Sequence, residues 1–349
     1  MRAIFLLYAM TTASLVSSLA FGEDLGGLKT SVSVDTNSQF GLSKGSEGND
    51  RISVREAELL LYSPADHMFD GQLNVAAHSE GGVMHLEVHE AYLGSSKLIP
   101  RSRFRLGHFF LGVGRINQIH RHDWPFTTAP RYHREFFAYE GAQDTGLEYT
   151  YLFPLPFFLE VTAGLTNGYV FGHDHSTGSK PKTPTHYARA VTYFSMPGEG
   201  GAQLGLNYLG RTDNAGTKKT LAGLDFTAKW REAQVLKYLI QAEAWHQWLN
   251  STRQWGFYLF PQAHIGDGFY VGARLDYYTD TSLTYGGGGA YPNGNLTIVP
   301  SLLYRSSEFV TARLSLTQDF ERQGTTTQSS QMIEFQAVFF LGAHPAHDF

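Results

Sequence analysis

From residue 29 to residue 341 the chain repeats one pattern, segments of roughly ten residues in which apolar and polar side chains alternate. Successive side chains of a strand point to opposite faces, whereas helical neighbours recur every three to four residues, so period two marks strands with two different faces. In 222–230 the positions Ala222, Leu224, Phe226, Ala228 and Trp230 share one face, and Gly223, Asp225, Thr227 and Lys229 share the other. Ile333, Phe335, Ala337, Phe339 and Leu341 repeat the beat at the far end. We count sixteen such segments, the first at 29–42 and the last at 331–341. In hydrocarbon every backbone polar group must be paired within the protein, and a closed sheet with alternating faces achieves this. The expected fold is all-β, a closed antiparallel transmembrane β-barrel of about 16 strands.

The connections test that count independently, because such barrels carry short periplasmic turns and long outer loops. From a periplasmic N-terminus, the long connections 43–51, 112–141, 167–185, 211–218, 280–294 and 319–330 all fall on the outer side. A soluble β-sandwich could share short alternating strands. The outward set of Leu, Val, Ala, Phe and Tyr carried by nearly every segment favours the barrel, as do 19 Tyr and 25 Phe for aromatic girdles and 37 Gly for turns.

Residues 1–20 read as a signal peptide, with Arg2 before an apolar run and small residues at Ser18-Leu19-Ala20, leaving 21–349 as the barrel. No later stretch approaches the roughly 18 consecutive apolar residues of a membrane helix. The address is the outer membrane of a Gram-negative bacterium, with its lipid as partner. The terminal Phe349 fits a last strand read by the barrel-assembly machinery, and a homo-oligomer is an allowed assembly. No basic run points to nucleic acid, and the absence of cysteine excludes thiolate metal sites. No motif sets a nucleophile beside a base and an orienting group, so no enzymatic activity and no required cofactor are expected.

Histidine carries what chemistry there is, with 15 copies. His85, Glu87 and His89 alternate with Met84, Leu86 and Val88, which places the former in the lumen. Taking Gly81-Gly82 as a two-residue turn sets His78 opposite His85, with β-carbons about 4.5–5.5 Å apart, close enough to share a divalent cation. The connection 112–141, third on the outer side, is expected to fold inward, since thirty unpatterned residues in a compact fold mark a functional loop. It holds His120, His122, Asp123 and His133, and its Trp124-Pro125-Phe126 could anchor it to the wall. His173 and His175 lie in a further outer loop. Imidazole with carboxylate suits Zn²⁺ better than Mg²⁺ or Ca²⁺, so these residues are candidate metal ligands and Zn²⁺ the expected transported or weakly bound ion. Lumen histidines that only bond water and carboxylates are the plain alternative.

Several motifs resemble one family. Glu58 to Tyr62 with Ser63-Pro64, His89-Glu90-Ala91-Tyr92-Leu93, Gly114-Arg115-Ile116-Asn117 through His122-Asp123-Trp124-Pro125-Phe126, Thr166-Asn167-Gly168 and Pro184 to Arg189 are similar to proteobacterial outer-membrane proteins described as zinc-regulated. The likeness covers roughly 52–195 and implies zinc-linked expression and passage. Relatives are often labelled TonB-dependent receptors, and this chain departs from that label in lacking room for a plug domain. A more distant likeness is to phosphate-selective porins. The sequence therefore points to a porin-like channel for zinc or another small divalent-metal species, with a general or anion-selective porin as the alternative, for which Arg55, Arg103, Arg105, Arg115, Arg131 and Arg134 supply cations.

Overall fold

The computed structural model describes residues 27–43, 50–80, 83–168, 181–233, 235–250, 252–281, 284–285, 289–290 and 293–342. The leader, the Gly81-Gly82 turn, His173, His175 and Phe349 lie outside the described residues. Each of the sixteen expected segments is a strand. The first eight are β1 (Lys29–Gly41), β2 (Ile52–Pro64), β3 (Asp70–Glu80), β4 (Val83–Ser95), β5 (Ser102–Phe110), β6 (Gln143–Leu152), β7 (Phe158–Thr166) and β8 (Thr183–Met196). The next five are β9 (Gly200–Thr212), β10 (Lys218–Glu232), β11 (Val235–Leu249), β12 (Thr252–Gly266) and β13 (Phe269–Asp280). A small hairpin, β14 (Thr284–Tyr285) with β15 (Gly289–Ala290), precedes the last three, β16 (Asn293–Arg305), β17 (Val310–Gln323) and β18 (Thr326–Gly342).

The barrel closes because β1 pairs with both β2 and β18, Val34 lying between Ala57 and Phe339. All pairings are antiparallel between consecutive barrel strands, so no edge is left open to lipid. Leu86, Leu106, Leu165, Leu206 and Leu224 face outward, while Glu58, Asn74, Asp225 and Glu334 are buried inside. The alternation read from the sequence is thus the division between membrane and lumen. One part of the lumen wall breaks the polar rule: Leu209, Leu221, Leu239, Trp245, Tyr258, Phe260 and Tyr278 also face in. They are not wet, because the inward loop covers them.

That loop runs from the end of β5 to the start of β6 and is held by bonds to strands around the ring. Asn117 closes its neck, accepting from Ala142 N at 2.6 Å and donating to Leu111 O at 2.9 Å. Gly112 N donates to Glu148, Gly114 N to Asn207, and the amides of Arg115 and Ile116 to Glu243. Gly114 sits at φ +63, where a Cβ would also meet the Glu243 carboxylate at 2.7 Å, so glycine is required twice over. Further along, Arg55 and Arg274 donate to the carbonyls of Thr127 and Thr128, Arg313 to Trp124 and Lys219 to Phe136. A helix α1 (Arg131–Phe137) follows Pro130 and ends at Ala138, whose φ of +71 turns the chain back to the wall.

Candidate functional site

Two bulges build the polar wall. Between β1 and β2 the register slips after Asp35, and between β3 and β4 it slips after Asn74. A bulge inserts one unpaired residue and changes which face the following side chains meet. On β4, Val88 is 47 % exposed on the outside, while His89 and Glu90 are 1 % and 6 % exposed and both point inward. On β2 the same device follows the outward Val54 with Arg55 and Glu56, which both engage lumen partners. Strict alternation therefore misses Glu90, and it left Glu56 and Glu58 unused although Glu56, Glu58 and Leu60 share a face by simple parity. Glu140, at the end of the loop, carried no sequence signal.

Onto this wall the loop lays His120 and His122, and four imidazoles form a column. His78 stacks on His89 at 5.3 Å between ring centroids, His89 on His120 at 5.9 Å, and His120 on His122 at 5.6 Å, with interplanar angles of 22°, 23° and 17°. Carboxylates flank every step. His78 Nε2 lies 3.3 Å from Glu87, and His89 reaches Glu58 through Nδ1 at 3.4 Å and Glu140 through Nε2 at 3.2 Å. His120 lies 3.1 Å from both Glu58 and Glu90. His122 is 3.4 Å from Glu56 and 3.1 Å from Asp123. Arg121, between the two loop histidines, pairs with Glu56 at 2.9 Å and Glu140 at 3.0 Å.

The loop imidazoles respond to this setting in opposite ways. Burial alone would push His120 down, but Glu58 and then Glu90 outweigh it and hold the imidazole well above its ordinary range. Asp123 and Glu58 outweigh burial at His122 in the same manner. His133 has no such carboxylate: it is 0 % exposed on α1, packed against Trp124 at 5.3 Å and Phe137 at 5.5 Å, and burial pushes it down to about 3. The sequence grouped His133 with His120, His122 and Asp123, whereas the structure places it in the aromatic cluster, apart from them. His85 is opposite His78 in register, as the glycine turn implied. Among the described residues the groupings of three metal-type donors take His78 with His89 and Glu140, and do not include His85.

Phe126 anchors the loop on the other wall, and the buried Trp124 ties the loop to itself. Trp124 Nε1 donates to Ile116 O and Ile119 O, and Phe126 meets Tyr258 at 5.3 Å and Phe260 at 5.7 Å edge to face. Tyr132 stacks on Tyr258, and Phe137 meets Trp245 edge to face. Each large side chain so buried contributes roughly 1.5–3 kcal/mol relative to exposure in the lumen. The loop separates two cavities. One of about 600 Å³ at the long-loop end is lined by Arg55, Arg121 and Tyr139, and one of about 610 Å³ at the short-turn end by His122, Asp123, Lys229 and Arg305.

No family model matches the chain. Over 338 residues it is 27% identical to an uncharacterized protein of Aquifex aeolicus (strain VF5), spanning 85% of this chain and 70% of that one. Among solved structures it is similar to OprB of Pseudomonas putida, with a TM-score of 0.63, 12% identity and coverage of 91% of this chain and 95% of that one. It is similar also to an anion-selective porin from Comamonas acidovorans, at TM-score 0.60 and 11% identity over 90% and 99% of the two chains. The outer membrane channel DcaP of Acinetobacter baumannii gives TM-score 0.60 and 12% identity over 90% and 96%. At such identities the likeness is one of fold: the chain is a closed sixteen-stranded antiparallel barrel with the fold of these outer-membrane proteins, and its apolar outer face suits the outer membrane.

Proposed function

We propose that this barrel is a passive channel for a small divalent-metal species, Zn²⁺ foremost, and not an enzyme. One observation carries the reading: the His78–His89–His120–His122 column is flanked by Glu56, Glu58, Glu87, Glu90, Glu140 and Asp123, its His122 and Asp123 line the short-turn cavity, and Arg121, paired with Glu56 and Glu140, lines the long-loop cavity. Metal binding displaces the imidazole protons, and once an entering ion has done so these carboxylates are in excess over Arg121 and Arg105, a charge balance that favours a dication. Mixed nitrogen and oxygen donors suit zinc. Conduction requires binding that is weak and repeated, and a row of overlapping donors supplies this where one closed cage would trap the ion. The resemblance to zinc-regulated barrels supports the same cargo.

A second reading has its own observation. Arg115, Lys229, Arg231, Arg305 and Arg313 share the short-turn cavity with, among the described residues, only Asp123 and Glu308 as acids, which would suit a small anion. Reversal potentials of the reconstituted barrel under a ZnCl2 gradient and under a KCl gradient separate the two. Zinc permeability above that of chloride is the expected result. Chloride preference with no measurable zinc current would leave the anion porin in its place.

A further inference from the structure

Three donor groups follow one another along the column, and neighbouring groups share a residue. The first is His78, His89 and Glu140, the second Glu58, His89 and His120, and the third Glu56, Glu58 and His122, with the donor atoms of each group within 4.8 Å of one another. His89 belongs to the first and second, and it meets them through different atoms: Nε2 faces Glu140 and Nδ1 faces Glu58. A neutral imidazole carries one lone pair and one N–H, so one of its nitrogens can hold a metal ion while the other donates. Glu58 belongs to the second and third groups, and its two oxygens allow a carboxylate to bridge two ions.

Resting on the metal-channel reading, we infer that His89 is a hand-over ligand: it holds an ion at the first station through Nε2 or at the second through Nδ1, never at both, so the column carries at most two ions. The third station can be filled alongside either of the others. Transfer inward from the first station is then a tautomer change at His89, in which the N–H moves from Nδ1 to Nε2 as the ion moves from Nε2 to Nδ1. No net proton is gained or lost. The order along the lumen supports this direction, because Tyr139, next to Glu140 in the chain, lines the long-loop cavity and His122 lines the short-turn cavity. Like charge at the third station favours vacating the second, the repulsion that drives ions along multi-site pores.

The test counts Zn²⁺ bound to the full barrel in detergent micelles by equilibrium dialysis and elemental analysis. Counts are taken above a background variant with His78, His89, His120 and His122 all replaced by Gln, and heat-modifiable gel migration verifies folding. Wild type is expected to hold two ions, His89→Ala one, at the third station, and Glu58→Gln one, at the first. Zinc flux of the His89→Ala barrel in liposomes should fall roughly tenfold or more although it still binds an ion. Should His89→Ala fail to fold, His89→Gln keeps a hydrogen-bonding group between Glu58 and Glu140 and carries the same expected count. Three ions in wild type, or two retained in the His89 variant, would overturn the hand-over while leaving a metal channel. No zinc in wild type would overturn the channel reading and the hand-over together.

Discussion

On opposite sides of the ring, strands β2–β4 and β11–β13 grip the same inward loop, one with carboxylates and imidazoles, the other with Trp245, Tyr258, Phe260 and Tyr278. The aromatic grip depends on buried area, which is non-directional and indifferent to ions. The polar grip depends on the charge state of His120 and His122 and on whatever cation competes for their partners. A loop held in this way stays fixed on one side while its other side can exchange ligands. The Trp124–Phe137 half is therefore the anchored side of the loop, and on the proposed metal-channel reading the His120–Asp123 half is its working face.

The largest effect should come from breaking the aromatic side. Trp124→Ala removes a fully buried indole and its two hydrogen bonds, a change of about 3–5 kcal/mol for such truncations. Its single-channel conductance should rise toward that of a deletion of 119–134; a conductance equal to wild type in both would remove the constriction from the account. Breaking the polar side by His120→Ala should instead leave KCl conductance within about twofold and reduce zinc flux roughly tenfold. Equal losses of both currents would show that the two walls do the same job.

Proton linkage sharpens the contrast because the two halves have opposite signs. His120 and His122 are raised in the fold, so their pairing stabilises fully below the ordinary imidazole pKa of about 6.5 and fades as pH rises through their raised values. His133 is lowered to about 3, so its burial stabilises fully above about 6.5 and weakens as pH falls from there toward 3. Gating noise should therefore grow at both extremes. His133→Leu should abolish the acid arm alone, and a pH profile unaltered by that substitution would contradict the assignment. The smallest effect is expected from Arg121→Gln, which frees Glu56 and Glu140 from a competing cation and should tighten zinc binding by a few fold, within about 1 kcal/mol. Weaker binding in a zinc titration would show that Arg121 orders the carboxylates instead.

Period two by itself determined the strands, their number, the closed sheet and the lumen position of His78 and His89, because side-chain direction in a strand is a local consequence of backbone pleat. Loop length, together with Trp124 and Phe126, was enough to mark the third outer connection as inward. Only the tertiary structure decided the site. Register slips at Asp35 and Asn74 set Arg55 and Glu56 inward together and brought Glu90 inward beside His89, and a bulge depends on pairing with a neighbouring strand, which no single segment encodes. The loop's path then sent His120 and His122 to the carboxylates and His133, eleven residues on from His122, to the aromatic wall. That division was set by which wall each turn of the loop could bury itself against, a matter of shape across the lumen and not of spacing along the chain.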